Sequence, residues 1–264
     1  MDLELKHPLA FVPTMGALHA GHQSLISQAK SLAPNVLVSI FVNPLQFENP
    51  TDLEKYPRDL EGDIIKAESA GATFVWAPTV DEIYPAAPTI ISAGDLGNKF
   101  EGVHRFGHFD GVLTVVKRLF EVTNPQIAIF GEKDFQQLFL IKKMVKDFQL
   151  PIEIVTGPLV RESDGLAMSS RNVRLSPTGR KSALIISKAL MAAAAEQSLT
   201  AAQKTLRQVL SEDAGFTLDY AEIINEADFE VASESTKSPR ALVAGWVDGV
   251  RLIDNMKMNF GETA

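Results

Sequence analysis

The chain has 264 residues, of which 45% are hydrophobic, enough to bury the core of one large domain and one smaller domain. It contains no cysteine, which excludes disulfides, a thiol nucleophile and zinc sites with thiolate ligands. Its formal net charge of −8 argues against a nucleic-acid-binding protein. Apolar runs stop well short of the ~18 residues of a membrane span, and the opening segment lacks the apolar core of a signal peptide, so we expect a soluble cytoplasmic protein.

Short β-branched runs alternate with helical patterns through the first part of the chain. Strands are predicted at residues 9–12, 36–42, 73–76, 126–130 and 152–155. Apolar residues spaced three to four apart predict helices at residues 23–33, 53–70, 109–121 and 135–148. This order predicts an α/β fold, a Rossmann-like doubly wound parallel sheet over residues 1–159. In such a sheet, ligands bind beyond the carboxyl ends of the strands.

The pattern changes near residue 160. A loop rich in Ser, Arg and Gly at residues 161–177 precedes predicted helices at 183–197 and 201–211 and strands at 218–224, 241–247 and 250–253. Asp248 and Gly249 join the last two strands, and this pair favours a tight hairpin turn. We therefore predict a smaller α+β domain over residues 160–264.

The segment PTMGALHAGH, residues 13–22, follows the first strand. His19 and His22 are three residues apart where the next helix should begin, so both rings can face one side. Backbone N–H groups at a helix start attract anions, and imidazoles beside them can donate to a polyphosphate. A zinc site is disfavoured, because the segment lacks the glutamate and spacing of a metalloprotease helix. The remaining alternative is a strand-to-helix turn with two surface histidines.

Two segments supply candidate substrate contacts. FVNPLQF, residues 41–47, ends a strand and brings Gln46 to the rim of the crevice, where its amide can both donate and accept. The alternative interpretation is that Gln46 is exposed to solvent and has no functional role. Residues 101–116 place His104, Arg105 and His108 before an apolar helix, as a second anion-handling element or as helix packing.

Two further segments carry basic and hydroxyl side chains. In FGEKDFQQL, residues 130–138, Lys133 can reach phosphates and Asp134 can hold ribose hydroxyls, although Asp134 can also be a helix N-cap and Lys133 a surface charge. In RESDGLAMSSRN, residues 161–172, two serines and an arginine suit the charge that develops on pyrophosphate. A disordered linker would have a similar composition.

These motifs together resemble the pantothenate synthetase family, part of the nucleotidylyltransferase superfamily related to class I aminoacyl-tRNA synthetases. PTMGALHAGH resembles the HIGH-type signature and LAMSSRN the KMSKS loop, while FVNPLQF, GHFDGVLTVV, GEKDFQQL and RLIDN also follow the family pattern. The resemblance covers about residues 11–255. The segment before the first strand is shorter than the family usually carries, and Ser170-Arg171 stands where the superfamily has serine and lysine.

The resemblance implies a homodimeric enzyme that uses ATP and Mg²⁺ to join pantoate to β-alanine through a pantoyl adenylate. Catalytic roles would fall to His19, His22, Lys133, Ser169, Ser170 and Arg171. ATP would contact Pro13, Met15, Gly21, Gly131, Asp134, Val160 and Met168. Gln46 and Gln137 would bind pantoate, and Asp63 would support the Mg²⁺ ion.

Two other functions remain open from the residues alone. A different transferase of the superfamily can use the same phosphate-binding parts on another acid, and the substrate-side glutamines discriminate this case. A non-catalytic nucleotide-binding module can keep the fold, but it need not keep the phosphate-binding residues that this chain retains.

Overall fold

The computed structural model describes residues 4–47, 53–54 and 56–260. The chain divides into two compact units between Pro158 and Leu159. None of the helices in the described ranges has the length and apolar character that crossing a bilayer requires.

The first unit is a five-stranded parallel sheet with helices between the strands. The strands are β1 (Leu9–Thr14), β2 (Asn35–Ile40), β3 (Phe74–Trp76), β4 (Ile127–Gly131) and β5 (Glu153–Gly157). The helices are α1 (Ala20–Leu32), α2 (Leu60–Ser69), α3 (Val80–Ile83), α4 (His108–Thr123) and α5 (Phe135–Asp147). The strand order β3-β2-β1-β4-β5 confirms the predicted doubly wound α/β fold. Its topological switch point lies between β1 and β4, where such sheets bind their ligands.

Strand β1 is buried on both faces of the sheet. Residues 9–12 are each at most 1% exposed. Phe11 packs in the cluster that contains Phe120, and Val12 packs in the cluster that contains Ile26 on the other face. Because side chains alternate along a strand, this double burial holds β1 in one register. The turn that follows β1 therefore starts from a rigid position.

Two helices of this unit begin at other residues than the periodicity predicts, and a third, short helix is not predicted. The helix expected over residues 53–70 is only partly described, and its long regular part begins at Leu60, where Asp59 accepts a hydrogen bond from the Gly62 N–H at 3.1 Å. Pro57 precedes this cap, and a proline there disfavours continuous helix. Helix α1 begins at Ala20 rather than at residue 23 because His19 caps it. Helix α3 has four residues, too few for a periodic pattern.

The second unit is a three-stranded antiparallel sheet covered by two helices. The strands, in the order β6-β7-β8, are β6 (Thr217–Asn225), β7 (Pro239–Val247) and β8 (Val250–Lys257), and the helices are α6 (Pro177–Ala194) and α7 (Leu199–Leu210). Leu190 and Leu206 pack with Val243 in the core. Asp248 and Gly249 adopt φ values of 52° and 71°, as a tight hairpin turn requires. This is the predicted smaller α+β unit.

A close backbone contact holds the segment after β2 against α4. Pro44–Gln46 forms a single 3-10 turn, and a Cβ atom added to Gly111 of α4 would lie 2.2 Å from the Leu45 carbonyl oxygen. Only glycine allows this approach, because the obstacle is backbone rather than a flexible side chain. Gly111 therefore helps to place Gln46.

We expect Gly111→Ala to lower the free energy of unfolding by about 2 kcal/mol, because the new methyl group displaces the 3-10 turn. At a helical position with no such close backbone contact, replacing glycine by alanine would raise the free energy of unfolding by up to about 1 kcal/mol. Urea unfolding followed by circular dichroism measures the sign. A more stable variant would show that the close approach does not constrain the turn.

Candidate active site

The turn after β1 presents two histidines at the start of α1. Gly16 and Ala17 have φ values of 86° and 52°, so the backbone turns through the left-handed region. The Gly21 N–H donates to His19 Nδ1 at 3.1 Å, and the His19 N–H donates to His22 Nδ1 at 3.3 Å. Because each Nδ1 accepts, the proton of each neutral ring is on Nε2. Both histidines can therefore donate from Nε2 to a ligand.

The environment keeps His22 uncharged. Burial, followed by the neighbouring His19, lowers the pKa of His22 from 6.5 to about 3, while Asp134 acts in the opposite direction. The two rings lie 4.1 Å apart between centroids, at an angle of 38°. A neutral imidazole that donates a hydrogen bond can hold an anion without the cost of burying a second cation beside Lys133.

The exit of β4 brings two more predicted residues to this place. Gly131 ends β4, and the 3-10 turn Glu132–Asp134 follows it directly. Lys133 and Asp134 both interact electrostatically with His22, and Lys133 Nζ lies 3.8 Å from Asp134 Oδ2. Asp134 occupies the N-cap position of α5, but its side chain makes no capping hydrogen bond. This geometry does not support the alternative in which Asp134 is merely a cap.

Gln46 is held by a network of polar contacts. It is 7% exposed, so it is not the solvent-exposed glutamine of the alternative interpretation. Its Nε2 lies 2.7 Å from Met15 Sδ, and its Oε1 accepts from Asn43 Nδ2 at 3.3 Å. His108 Nδ1 donates to the Gln46 carbonyl oxygen at 3.0 Å. Met15 directly follows β1, and Gln46 lies in the 3-10 turn after β2. The contact between them therefore joins the segments that leave the two strands.

Three members of this network were not assigned to it from the sequence. Asn43 is 1% exposed and donates to the Gly111 carbonyl oxygen at 3.0 Å, while the Tyr84 hydroxyl donates to Asn43 Oδ1 at 3.1 Å. Burial raises the pKa of Tyr84, which keeps its hydroxyl protonated. The sequence groups His108 with His104 and Arg105, as an anion-handling element or as helix packing, and the structure places its Nδ1 against the Gln46 carbonyl oxygen. An amide between an apolar strand and a proline was the available signal for Asn43.

The neighbouring glutamines of α5 differ in their surroundings. Gln136 is buried and donates to the carbonyl oxygens of Leu96 and Lys99 at 2.8 and 2.9 Å. Gln137 is half-buried and points in another direction, because successive helical residues are rotated by about 100°. Gln136 therefore fixes the segment that contains Leu96 and Lys99, before α4. Gln137 stays the candidate for substrate contact.

In the second unit, residues 160–168 fold as a short hairpin. The Met168 N–H donates to the Val160 carbonyl oxygen at 3.0 Å, which brings the two predicted adenine contacts together. Arg161 donates to both carboxylate oxygens of Asp254 at 2.6 and 3.0 Å, and Asp254 is 4% exposed. This pair, with its carboxylate buried, ties the hairpin to β8, within the RLIDN motif.

The serine-arginine segment follows the hairpin. Ser169 caps the 3-10 helix Ser170–Arg174 by accepting from the Arg171 N–H at 3.3 Å. Asn172 donates to Glu162 Oε1 at 2.7 Å, and Arg180 donates to Glu162 Oε2 at 2.6 Å. Although burial opposes it, these two donors hold the pKa of Glu162 below its ordinary value. The segment thus has a defined local structure, with the Arg171 side chain exposed.

Asp63 lies on α2, where both of its oxygens have backbone partners. Oδ2 accepts from the Ala17 N–H at 2.8 Å and Oδ1 from the Leu18 N–H at 2.7 Å. Within the described ranges there is no group of three or more histidines and acidic residues that could hold a metal ion. The Mg²⁺ role of Asp63 stays a prediction.

Comparison with known proteins places this geometry in a family. Residues 2–257 match the family model described as pantoate-beta-alanine ligase. The pantothenate synthetase of Acidothermus cellulolyticus is 46% identical over 263 residues, which cover 96% of this chain and 86% of the relative. The chain belongs to the pantoate–β-alanine ligase family. The pantoate–β-alanine ligase of Schizosaccharomyces pombe is 45% identical, over 94% of this chain and 90% of that protein.

Solved structures of pantoate–β-alanine ligases have the same fold. The crystal structure of pantothenate synthetase from Thermus thermophilus matches with a TM-score of 0.89 and 44% identity, covering 95% of this chain and 93% of that one. The Francisella tularensis ligase, described as complexed with beta-gamma ATP and β-alanine, matches with a TM-score of 0.76 and 36% identity, covering 96% and 91%. Membership of the family, as predicted from the sequence, is thereby confirmed.

We expect His22 to make stability depend on pH. Its folded pKa of about 3 lies below the ordinary value of 6.5, so between these values the unfolded chain binds more protons. Stability from this group is complete above pH 6.5 and is lost as pH falls towards 3. His22→Asn removes the titration while its amide oxygen replaces Nδ1 as acceptor. Urea unfolding at pH 7.5 and pH 5 should show wild type losing about 2 kcal/mol more than the variant. Equal losses would contradict the low pKa.

Proposed function

We propose that this ligase activates pantoate as an acyl adenylate at the His19–His22 turn and then transfers the pantoyl group to β-alanine. The overall reaction, ATP-dependent condensation of pantoate with β-alanine (EC 6.3.2.1), is that of the family to which the chain belongs. The observation that supports the adenylate step is that two histidines whose Nδ1 atoms accept hydrogen bonds lie 4.1 Å apart between ring centroids, with Lys133 near His22, at the topological switch point. This is an anion site built for phosphates.

In the first step, a pantoate carboxylate oxygen attacks the α-phosphorus of ATP, and the bond to the bridging oxygen breaks. Pyrophosphate leaves with the electron pair. His19 and His22 donate hydrogen bonds to phosphate oxygens, and Lys133 supplies positive charge. The N-terminal end of α1 adds its dipole. Preorganised donors of this kind stabilise the developing charge without reorganising.

In the second step, the neutral amine of β-alanine attacks the acyl carbon of the adenylate, the acyl C–O bond to AMP breaks with its electron pair leaving on AMP, and the nitrogen releases one proton to solvent. No side chain has to act as a nucleophile. Alignment therefore carries much of the catalysis.

The pantoate site is proposed around Gln46 and Gln137. Met15 and Asn43 contact the Gln46 side chain, so its rotamer is restricted before substrate binds, and His108 holds its backbone carbonyl. Both amides can donate to and accept from a small acid that carries hydroxyl groups. Because Gln46 contacts Met15, the proposed pantoate site would lie next to the turn at residues 16–18 that leads to His19.

The second unit is proposed to contribute Ser169, Ser170 and Arg171 to the leaving pyrophosphate and Val160 and Met168 to adenine. Gly131 and Asp134 of the first unit would hold the ribose, beside Pro13 and Gly21. The folded hairpin and its bond to Asp254 support this role, because they give the segment a defined local geometry.

Mg²⁺ is proposed to enter with ATP, as part of the substrate. Mg²⁺ commonly binds through substrate phosphates with one or two carboxylates. The described residues offer no three-ligand cage for it, and the oxygens of Asp63 already accept hydrogen bonds.

A homodimer is proposed from the family resemblance, and analytical ultracentrifugation tests it.

The decisive assay is exchange of labelled pyrophosphate into ATP without β-alanine. Because the adenylate forms reversibly before the amine acts, we expect exchange that depends on pantoate. Omitting pantoate is the control and should abolish the exchange. No exchange from folded protein that binds ATP would refute the adenylate step.

Substrate identity is tested by Gln46→Ala and Gln137→Ala. Each variant loses hydrogen bonds made in a buried site, so the KM for pantoate should rise about 10- to 100-fold with little change in the KM for ATP. Gln208→Ala, on an exposed position of α7, is the control and should leave both constants unchanged. Unchanged pantoate use by both site variants would favour a transferase with another acid substrate.

A further inference from the structure

We propose that Asp63 is a positioning residue that sets the geometry of the phosphate-binding turn through two backbone hydrogen bonds. The turn is residues 16–18, between β1 and the His19 cap. The inference rests on the proposed function of His19 and His22, because it concerns how their donors are aimed. It gives the buried carboxylate a role other than metal binding.

The carboxylate of Asp63 binds two consecutive backbone N–H groups. Its oxygens lie 2.8 Å from the Ala17 nitrogen and 2.7 Å from the Leu18 nitrogen. Hydrogen bonds to an ionised acceptor are shorter and stronger than neutral ones. A two-pronged contact fixes the direction of the peptide units as well as their distance. The 1% exposure of Asp63 excludes water as a competitor.

The turn has a conformation that needs such a restraint. Ala17 has φ of 52°, which costs an L-residue roughly 1 kcal/mol or more. Gly16 has φ of 86°, and a Cβ atom added there would lie 2.9 Å from Asp63 Oδ2. Turn and carboxylate therefore fit closely together. Without the carboxylate, the buried N–H of Leu18 and the partly buried N–H of Ala17 would lose their acceptor.

The surroundings of Asp63 favour this role over metal binding. Lys66, one turn along α2, places its Nζ 3.9 Å from Asp63 Oδ1 and remains 41% exposed. Two N–H groups and an ammonium thus present positive ends to one carboxylate. A Mg²⁺ ion keeps several waters and needs open space around its ligand. The buried carboxylate offers little such space.

Displacement of the turn would reach the catalytic donors through the backbone. Leu18 precedes His19, whose N–H donates to His22 Nδ1 and whose own Nδ1 accepts from the Gly21 N–H. These bonds determine where both Nε2 protons point. Since a misplacement of about 1 Å can lower a rate about 100-fold, the contact at Asp63 matters for catalysis.

The test compares Asp63→Asn with Asp59→Ala in the full chain. Asparagine keeps the shape but directs an NH₂ group at one of the turn's N–H groups. Asp59→Ala removes the N-cap of the same helix, which accepts from the Gly62 N–H, and leaves the turn untouched. For Asp63→Asn we expect pyrophosphate exchange to slow about 10- to 100-fold with an unchanged Mg²⁺ requirement. Asp59→Ala should lower the unfolding midpoint while keeping the exchange rate.

The ¹⁵N signals of the His19 and His22 imidazoles distinguish a positioning role of Asp63 from general destabilisation of the fold. In ¹⁵N spectra of substrate-free protein labelled at histidine, Asp63→Asn should move the Nδ1 signals of His19 and His22, and Asp59→Ala should not. In Gly16→Ala the new methyl group would displace the Asp63 carboxylate without changing its charge, so this variant should move the same signals. If Asp63→Asn does not fold, Gly16→Ala provides the test.

Two results would overturn the proposal. If the histidine ring signals did not move in either Asp63→Asn or Gly16→Ala, Asp63 would not hold the turn. A raised Mg²⁺ requirement with unmoved ring signals would identify Asp63 as a metal ligand. Absence of exchange in the wild-type enzyme would instead refute the proposed adenylate step, while the ring signals still test the contact at Asp63.

Discussion

The backbone N–H groups where β1 turns into α1 need acceptors, and the candidate site follows from how they obtain them. Asp63 accepts from the turn, while His19 accepts from the Gly21 N–H in the first turn of the helix and His22 accepts from the N–H of the His19 cap. Each imidazole uses Nδ1 for this purpose, which leaves its proton on Nε2. The same hydrogen bonds that begin the helix therefore leave two neighbouring imidazoles whose Nε2 atoms can donate.

Burial gives these donors their electrostatic character. His22 stays uncharged because solvent is excluded around it and because His19 and Lys133 lie near it. Lys133 can then be the main cation at the switch point, opposed by Asp134 at 3.8 Å. Neutral donors beside Lys133 avoid strong self-repulsion before ATP binds, and the site becomes more favourable once phosphate charge arrives.

The substrate side and the second unit rely on polar networks of a similar kind. Gln46 is restrained by Asn43, Met15 and His108, and the Gly111 contact holds the turn that carries it. Arg161 is joined to buried Asp254 by two hydrogen bonds. In each case a residue outside the proposed chemistry restrains the segment that performs it. Membership of the pantoate–β-alanine ligase family names the reaction, and these contacts give its parts physical roles.

Local patterns in the sequence determined the fold class, the order of the elements, the spacing of His19 and His22 and the Asp248-Gly249 hairpin, because periodicity and turn chemistry act between near neighbours. Tertiary structure alone decided that Asp63 meets a turn more than 40 residues earlier in the chain. It also decided that Gln46 is buried and that Gln136 rather than Gln137 fixes a loop. These outcomes depend on which distant polar groups face each other across the sheet, and no local pattern encodes that pairing.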